Sequence, residues 1–476
     1  MQTDFTQESA EQERWHLRPG AQRFAGFFRR LVSNEFLPPD ALKAASGQRL
    51  QRVMLHIARN VPWYEDMAKR TGIDLTSIDS PDDLSALPVL SKVELAQAGP
   101  ALVARALPPG EKLYGWFSSS GTTGRPARVL HTKLSNMMFN LLVQRGHRWF
   151  RFDPKGTMAS IRITSQNPSQ PDGTPLPMGA ALRAPAWRYS GNFYATGPHF
   201  HFNIENPVEV QIDWLKRICP DYLQTYSESL EHLAFACDGA WPVPGIRKLN
   251  AISEQLTSSM RRRIESTLGA PIVQGYGLNE IGLVALRCDA GRYHWHVEHC
   301  IVEIVDAAGS PCLPGQRGRV VVTALRNMAM PLLRYDTGDI AEAVAGPCPC
   351  GRTLPAFGEI SGRYSRIAYL PEHTLARVAR IRVALEEMPA EVVRSLRQFQ
   401  IHQYRGGRLE LRILSTEPMS PEFHRRVIEQ WRQEPSHADG VLDIVQVDCI
   451  ARSPGGKFQD FTSDYMPAPD ENREPG

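Results

Sequence analysis

The sequence predicts an α/β protein. A large N-terminal region of layered α/β structure carries a small β-barrel-like subdomain, and a small α+β domain follows at the C-terminus. Three observations carry this reading. From about residue 113, short strand patterns alternate with helical ones, which is the pattern of α/β layers. Residues 292–345 are strand-rich and punctuated by Pro311, Pro314 and Gly315. After Gly362-Arg363 the composition turns to Arg-rich helix and strand. At 476 residues the chain is too long for one hydrophobic core. The expected division is 1–362 and 363–476, with the β subdomain at about 288–350.

Taken in order, residues 1–70 read as helical, because Leu42, Ala45, Leu50, Val53, Met54, Ile57 and Ala58 recur at helical spacing. Strands are expected at 113–117 and 129–132, and helices at 213–218, 228–237 and 254–268. A short strand at 272–274 precedes strands at 294–305, 318–325 and 340–344. Residues 167–192, rich in Pro, Gly and Ser, read as a long loop, a feature that is often functional in a compact domain. The final dozen residues, with Pro467, Pro469 and Pro475, read as a frayed tail.

Composition narrows the function. Hydrophobic residues make up 42% and charged residues 22%, an ordinary globular balance. A net charge of +3 with no long basic run argues against a nucleic-acid partner. No apolar stretch approaches the roughly 20 residues that span a bilayer. Asp4, Glu8, Glu11 and Glu13 make the N-terminus unlike a signal peptide. Eight scattered cysteines point to thiols or metal ligands rather than a disulfide framework. The expectation is a cytoplasmic protein with no membrane partner.

The segment richest in chemistry is Ser118-Ser119-Ser120-Gly121-Thr122-Thr123-Gly124-Arg125-Pro126. Its hydroxyls and backbone N–H groups are donors, its glycines permit a tight turn, and successive N–H groups can form a cradle for a phosphate chain. The nucleotide P-loop spacing is absent: Gly124 follows Gly121 too soon, and Arg125-Pro126 replaces Lys-Ser/Thr. The flanks read as strands, so the loop joins two strands. An ordinary Ser/Thr/Gly surface turn is the competing reading.

Four further segments follow in order: Tyr276-Gly277-Leu278-Asn279-Glu280, Arg334-Tyr335-Asp336-Thr337-Gly338-Asp339, Gly362-Arg363, and Arg452-Ser453-Pro454-Gly455-Gly456-Lys457. In this order the set resembles the acyl-adenylate-forming ligases, and within them the phenylacetate–CoA ligase-like branch. Asn60-Val61-Pro62-Trp63-Tyr64 and Ile252-Ser253-Glu254 add weaker matches.

The resemblance implies an ATP-dependent ligase. A carboxylate attacks the α-phosphate of ATP, pyrophosphate leaves, and the acyl group of the adenylate passes to an acceptor such as CoA. Both reactants are anionic, so charge must be neutralised and the partners aligned. By this resemblance Ser119, Ser120, Gly121, Thr122, Thr123, Gly124 and Arg125 hold the β- and γ-phosphates, and Glu280 helps hold Mg²⁺. Ser253, Glu254, Tyr276, Gly277 and Asn279 lie around the nucleotide, with Tyr276 stacked on adenine. Asp339 accepts from the ribose hydroxyls and Arg363 lies near the ribose and phosphates. Lys457, on a mobile C-terminal domain, reaches the acid oxygen and α-phosphate. The acid pocket falls to Tyr226, Ser227, Gln274 and Gly275, with Gly277 and Ile281 beside them. The run Phe193, Tyr194, His199, His201 and Phe202 either lines that pocket or is a strand packed in the core; such residues suit a flat or aromatic acid.

Some positions depart from the family pattern. Asn279 replaces Ser/Thr, Arg125 replaces Lys, Ser365-Arg366 replace an Asp-Asp pair at the hinge, and Leu370-Pro371-Glu372-His373-Thr374 replaces the segment bordering the pantetheine path. The acceptor is therefore CoA, an amine or amino acid giving an amide, or a carrier-protein thiol. A non-catalytic nucleotide-binding scaffold is the alternative from another class. Homodimers are common among such proteins.

Cys348-Pro349-Cys350-Gly351 and Cys288-x5-His294 form a second constellation. A Cys-x-Cys pair brings two thiolates to one ion, and a further Cys and His complete a tetrahedral set. The resemblance implies a structural Zn²⁺ at Cys288, His294, Cys348 and Cys350, with His296, His299 and Cys300 as competitors for the fourth place. Reduced thiols and an imidazole without a metal are the plain alternative.

Overall fold

Proline, glycine and capping residues set the first helices. In a computed structural model the described residues are 15–118, 128–163, 174, 176–237, 241–252, 256–363, 381, 385, 388–389, 392, 395–404, 408–432, 442–450 and 461–464. Helix α1 (Ala25–Ser33) is followed by α2 (Pro39–Asn60) and α3 (Pro62–Thr71), each of the latter two opening on a proline whose missing N–H costs a helix start nothing. Gly72, at φ +72°, closes α3 in the left-handed conformation that glycine adopts without strain. A reciprocal cap between Ser91 and Glu94 starts α4 (Lys92–Ala98).

Strands β1 (Leu113–Ser118) and β2 (Arg128–Thr132) pair antiparallel, Ser118 opposite Arg128, on either side of the Gly/Ser/Thr segment, as expected for a loop between strands. Thr132 then caps α5 (Lys133–Trp149).

The central sheet has nine strands in the order β14-β10-β9-β8-β7-β6-β3-β5-β4. Its members are β3 (Met158–Arg162), β4 (Ala181–Ala184), β5 (His199–Asn203), β6 (Tyr222–Tyr226), β7 (Lys248–Ile252), β8 (Ile272–Leu278), β9 (Gly282–Arg287), β10 (Tyr293–Trp295) and β14 (Ala356–Phe357). The run β5-β3-β6-β7-β8 is parallel, and β4 and β9 flank it antiparallel. Part of the stretch read as a loop thus contributes β4. A smaller sheet, in the order β11-β12-β13-β15, comprises β11 (Cys300–Val305), β12 (Arg317–Ala324), β13 (Tyr335–Glu342) and β15 (Ile360–Arg363). The single strand expected at 294–305 is two: β10 joins the large sheet, and the small sheet begins at Cys300. Leu50, Met54, Ile57, Leu90, Val284, Val320, Val322, Leu332 and Tyr335 share one core.

The chain divides into two compact units: Met1–Ser227, Pro242–Gln255 and Gly269–Gly362 in the first, and Glu228–Trp241, Leu256–Leu268 and Arg363–Gly476 in the second. In the second unit, β18 (Leu442–Gln446), β17 (Leu409–Ser415), β16 (Leu396–Gln403) and β19 (Phe461–Ser463) form a four-stranded sheet in that order. Its core takes Ile401, Leu411 and Ile413 from the sheet and Phe423, Val427 and Trp431 from one face of the helix Pro421–Arg432. The same unit includes the helix Ser258–Leu268, whose Arg263 meets Glu231 at 2.6 Å. Among the described residues no helix is long and apolar enough to cross a membrane.

Candidate active site

Strand β8 delivers the first site residues by simple alternation. Gln274 and Tyr276 point to one side. The Tyr293 hydroxyl donates to Gln274 Oε1 at 2.9 Å, and the Tyr276 hydroxyl donates to Asp339 Oδ2 at 2.8 Å. Phe357 braces both tyrosines, stacked on Tyr293 and edge-on to Tyr276. Tyr276 is 8% exposed, so its ring is largely enclosed by protein and its hydroxyl is committed to a carboxylate. Gly277 sits where a Cβ would come 3.0 Å from the Gly282 carbonyl oxygen, so a larger residue would push the two strands of the β8–β9 hairpin slightly apart.

Asp339 owes its position to a bulge. Val321 pairs with Asp336 and Arg319 with Ile340, so Thr337, Gly338 and Asp339 are pushed out of the β12–β13 ladder. Gly338, at φ +76°, makes the turn. The Thr337 hydroxyl accepts the Asp339 N–H at 3.1 Å, and Asp336 Oδ1 accepts the Gly338 N–H at 2.9 Å. Arg319 meets Asp336 at 3.1 Å. The Asp339 carboxylate is only 4% exposed.

Glu280 lies in the turn after β8, buried, and accepts from the Tyr335 hydroxyl at 3.1 Å. Tyr335 is held by the N-terminal region. Leu90 donates its N–H to Arg334 O and accepts the Asp336 N–H, while Tyr64 accepts the Leu333 N–H and donates to Pro331 O. The Asn-x-Pro-x-Tyr match at 60–64 thus braces the strand carrying Asp339. Burial pushes the Tyr64 hydroxyl pKa well up, so it stays protonated and can donate. Arg334, inside the sequence motif, is engaged by the protein itself. It is buried, pairs with Glu303 at 3.0 Å and donates to the carbonyls of Leu87 and Gly309.

Two links tie this centre to the start of the Gly/Ser/Thr segment. Asn279 Nδ2 donates to Ser118 O at 3.0 Å, and His131 Nε2 lies 3.2 Å from Asn279 O. Burial pushes the His131 pKa down to about 4, so the ring is neutral and carries its proton on the nitrogen facing that carbonyl. Asn279, the departure from Ser/Thr, therefore acts on the backbone where β1 ends. Reading the sequence did not single out His131 or give Tyr335 and Tyr293 roles. Tyr335 did stand inside a motif, but nothing local marks His131.

Of the expected acid-pocket residues, Tyr226 and Ser227 sit buried at the end of β6, and Gly275 lies on β8 against Leu283 and Leu286. The aromatic run at 193–202 divides. Phe193 and Tyr194 join Trp15 and Phe28 in the core, and Phe202 stacks on Trp214. His199 and His201 lie on the opposite face of β5 from Phe202. Ser119, Ser120, Gly121, Thr122, Thr123, Gly124, Arg125, Ser253, Glu254, Lys457 and the pair Ser365-Arg366 lie outside the described residues, as does the Arg363 side chain.

The cysteine constellation forms a single cluster. The ligand atoms of Cys288, His294, Cys348 and Cys350 all lie within 4.8 Å of one another. Cys288 Sγ is 3.6 Å from Cys348 Sγ, and Cys350 Sγ is 3.4 Å from His294 Nε2. For bonds of about 2.3 Å to sulfur and 2.0–2.1 Å to nitrogen, a tetrahedral ion requires separations of roughly 3.5–3.8 Å. Two tight turns make the set. Gly351 returns its N–H to Cys348 O, and Gly291 returns its N–H to Cys288 O, both with positive φ. His294 Nδ1 lies 2.6 Å from Leu354 O, which places the proton there and turns Nε2 toward the thiols. His296, His299 and Cys300 are engaged elsewhere, near Arg145, Ile281 O and Val284 O.

Comparison with known proteins follows the same direction. No protein-family model matches the chain. The phenylacetate-coenzyme A ligase of Thermus thermophilus is 27% identical over 421 residues, covering 85% of this chain and 88% of that protein. That of Escherichia coli is 25% identical over 457 residues, covering 89% and 97%. Among solved structures, 2-hydroxyisobutyryl-CoA ligase in the postadenylation state with 2-HIB-AMP superposes with a TM-score of 0.66 at 19% identity, covering 90% of this chain and 91% of that one. The curated relatives are phenylacetate-CoA ligases, and the fold is that of acyl-adenylate-forming CoA ligases.

Proposed function

We propose that the chain is an ATP-dependent carboxylic acid ligase that forms an acyl- or aryl-adenylate, releases pyrophosphate and transfers the acyl group to CoA. The observation that carries this is the pair of buried carboxylates, Asp339 and Glu280, each oriented by a tyrosine hydroxyl and each brought next to β8 from a different motif. A buried carboxylate with a fixed donor on one oxygen is preorganised to accept from a sugar hydroxyl, and Asp339 takes the ribose in this reading. Tyr276 orients it and offers the remainder of its ring to adenine. Glu280 supplies the hard oxygen that suits Mg²⁺, whose charge would offset that of the phosphates. Asn279 and His131 fix the end of β1 at Ser118, and the residues that follow it in sequence, 119–125, are assigned to the β- and γ-phosphates. Arg363 and Lys457 complete the charge balance around the α-phosphate, and Tyr226, Ser227, Gln274 and Gly275 border the acid.

In the same reading Cys288, His294, Cys348 and Cys350 hold a structural Zn²⁺. The donor set suits that ion, as do the Cys288–Cys348 and Cys350–His294 separations, and the turns it joins lie before β11 and after β13. The relatives' names favour CoA over an amine acceptor, and their substrate makes an aromatic acid the first to try. The test is acid-dependent exchange of labelled pyrophosphate into ATP. Exchange that appears only with acid present supports the reading, whereas ATP binding without exchange for any acid would favour the scaffold.

A further inference from the structure

One face of the central sheet carries polar groups that the adenylation chemistry leaves unused. Ser160 and Arg162 on β3, His199 and His201 on β5, and Gln224 on β6 share that face, because Ser160 pairs with both His201 and Gln224 in parallel register. The Arg188 N–H donates to His199 Nδ1 at 3.1 Å, so the proton of the neutral ring sits on Nε2. That nitrogen faces Ser160 Oγ at 2.6 Å, and the Ser160 hydroxyl donates onward to Gln224 Oε1 at 3.3 Å. Burial, reinforced by His201, His147, Arg162 and Arg188, keeps the His199 pKa well below its usual value and so preserves this proton order.

The consequence is directional. With its oxygen held by Ser160, the Gln224 side chain can turn the two donors of its NH₂ outward. Arg162 adds a guanidinium whose buried Nε has no partner among the described residues. Burial first, then Arg188 and Arg162, push the His201 pKa down to about 4, so that ring is neutral. An amide NH₂ and a guanidinium on one face are complementary to an anion. Arg162 ends β3 at its carboxyl side, where open α/β sheets bind ligands, while Ser160, His201 and Gln224 sit at mid-strand. Gln224 is two residues from Tyr226, and β3 stands three strand spacings from β8, about 14 Å.

We propose that Arg162 and Gln224 form a subsite for an anionic group on the acid, remote from the carboxylate being activated, so that the substrate is a dianionic acid. This rests on the adenylation reading. The experiment compares pyrophosphate release for matched pairs of acids, a monocarboxylate and the same skeleton bearing a second carboxylate. Wild type should favour the diacid by tenfold or more in kcat/KM. Losing one hydrogen bond to a charged group makes Arg162→Gln lower diacid kcat/KM by about 10- to 100-fold, with the monoacid within about twofold. Arg162→Lys should recover part of the loss, and Gln224→Glu should reverse the preference. Gln224→Glu carries the test by itself if the arginine variant does not fold. A wild-type preference for monoacids, or an equal loss on both acids, overturns the subsite. So does Arg162-dependent binding of inorganic phosphate or CoA with no diacid preference, which would assign the anion to another source. A thermal-shift arm without ATP separates the two readings. If no acid releases pyrophosphate yet the diacid raises Tm in wild type and not in Arg162→Gln, adenylation fails and the subsite stands.

Discussion

Replacing Asp339 with alanine tests the ribose assignment and the tyrosine that supports it. Two effects follow from the geometry. The first is on ATP. A carboxylate that accepts both ribose hydroxyls makes two charge-assisted hydrogen bonds, each contributing about 1.5–3 kcal/mol, so their loss should raise the ATP dissociation constant by at least about 150-fold. The second is on stability. Tyr276 is 8% exposed and its hydroxyl donates to Asp339 at 2.8 Å, so alanine at 339 strands a buried donor at a cost of about 1–3 kcal/mol. Adding Tyr276→Phe removes the stranded group. The double variant should therefore be at least as stable as Asp339→Ala, while Tyr276→Phe alone is destabilised, giving a coupling energy of about 1–2 kcal/mol. ATP affinity is read by calorimetric titration without acid, so that no turnover occurs, and stability by urea unfolding. ATP affinity within threefold of wild type in a folded Asp339→Ala protein would refute the ribose role. Strictly additive stabilities would refute the coupling.

Lys457→Ala should reduce adenylation by several orders of magnitude while leaving ATP affinity and Tm unchanged, as judged by pyrophosphate release beside calorimetry; an unchanged rate would mean that the C-terminal lysine has another role. Elemental analysis of protein washed free of loose metal should give about one zinc per chain, and Cys348→Ser should lower both zinc content and Tm; metal-free protein with wild-type stability would dismiss the ion. Acid should destabilise the fold in a defined window. His131, His147 and His299 have pKa values pushed down to about 4 by burial, so between pH 6.5 and 4 the unfolded chain binds protons that the native one refuses. Stability is then fully present above 6.5 and falls by up to about 1.4 kcal/mol per pH unit for each histidine below it. Urea midpoints that stay flat from pH 7 to 5 would contradict the burial of these rings.

What the sequence made legible was local. The motif around 276–280 is a strand running into a turn, and that around 334–339 contains the glycine its bulge requires, so residue order alone marked Glu280 and Asp339. The Cys-x-Cys turn and Cys288-x5-His294 were marked in the same way. The long-range partners were not legible. Tyr335 meets Glu280 across 55 positions and His131 meets Asn279 across 148, with no periodicity to announce either. The plainest omission is Arg145. It sits in helix α5, buried, pairs with Glu35 at 3.0 Å and Glu298 at 3.1 Å, and lies near His296. A charged residue on an amphipathic helix ordinarily reads as a solvated face, and only tertiary packing discloses that its partners come from the N-terminal segment and the turn before β11. The division of β10 from β11 escaped for a similar reason, since only residues 296–299 separate them and their different sheets are disclosed by strand pairing alone.

Acid activation followed by transfer to CoA is decided by the products themselves. Mass spectrometry would follow reactions of ATP, Mg²⁺ and a panel of mono- and dicarboxylic acids, with CoA and amino acids supplied together as competing acceptors. Acyl-AMP is expected when no acceptor is present, and the CoA thioester when both acceptors are. An amide as the main product would contradict the transfer step, and no adenylate from any acid, in a protein that binds ATP, would contradict acid activation as a whole.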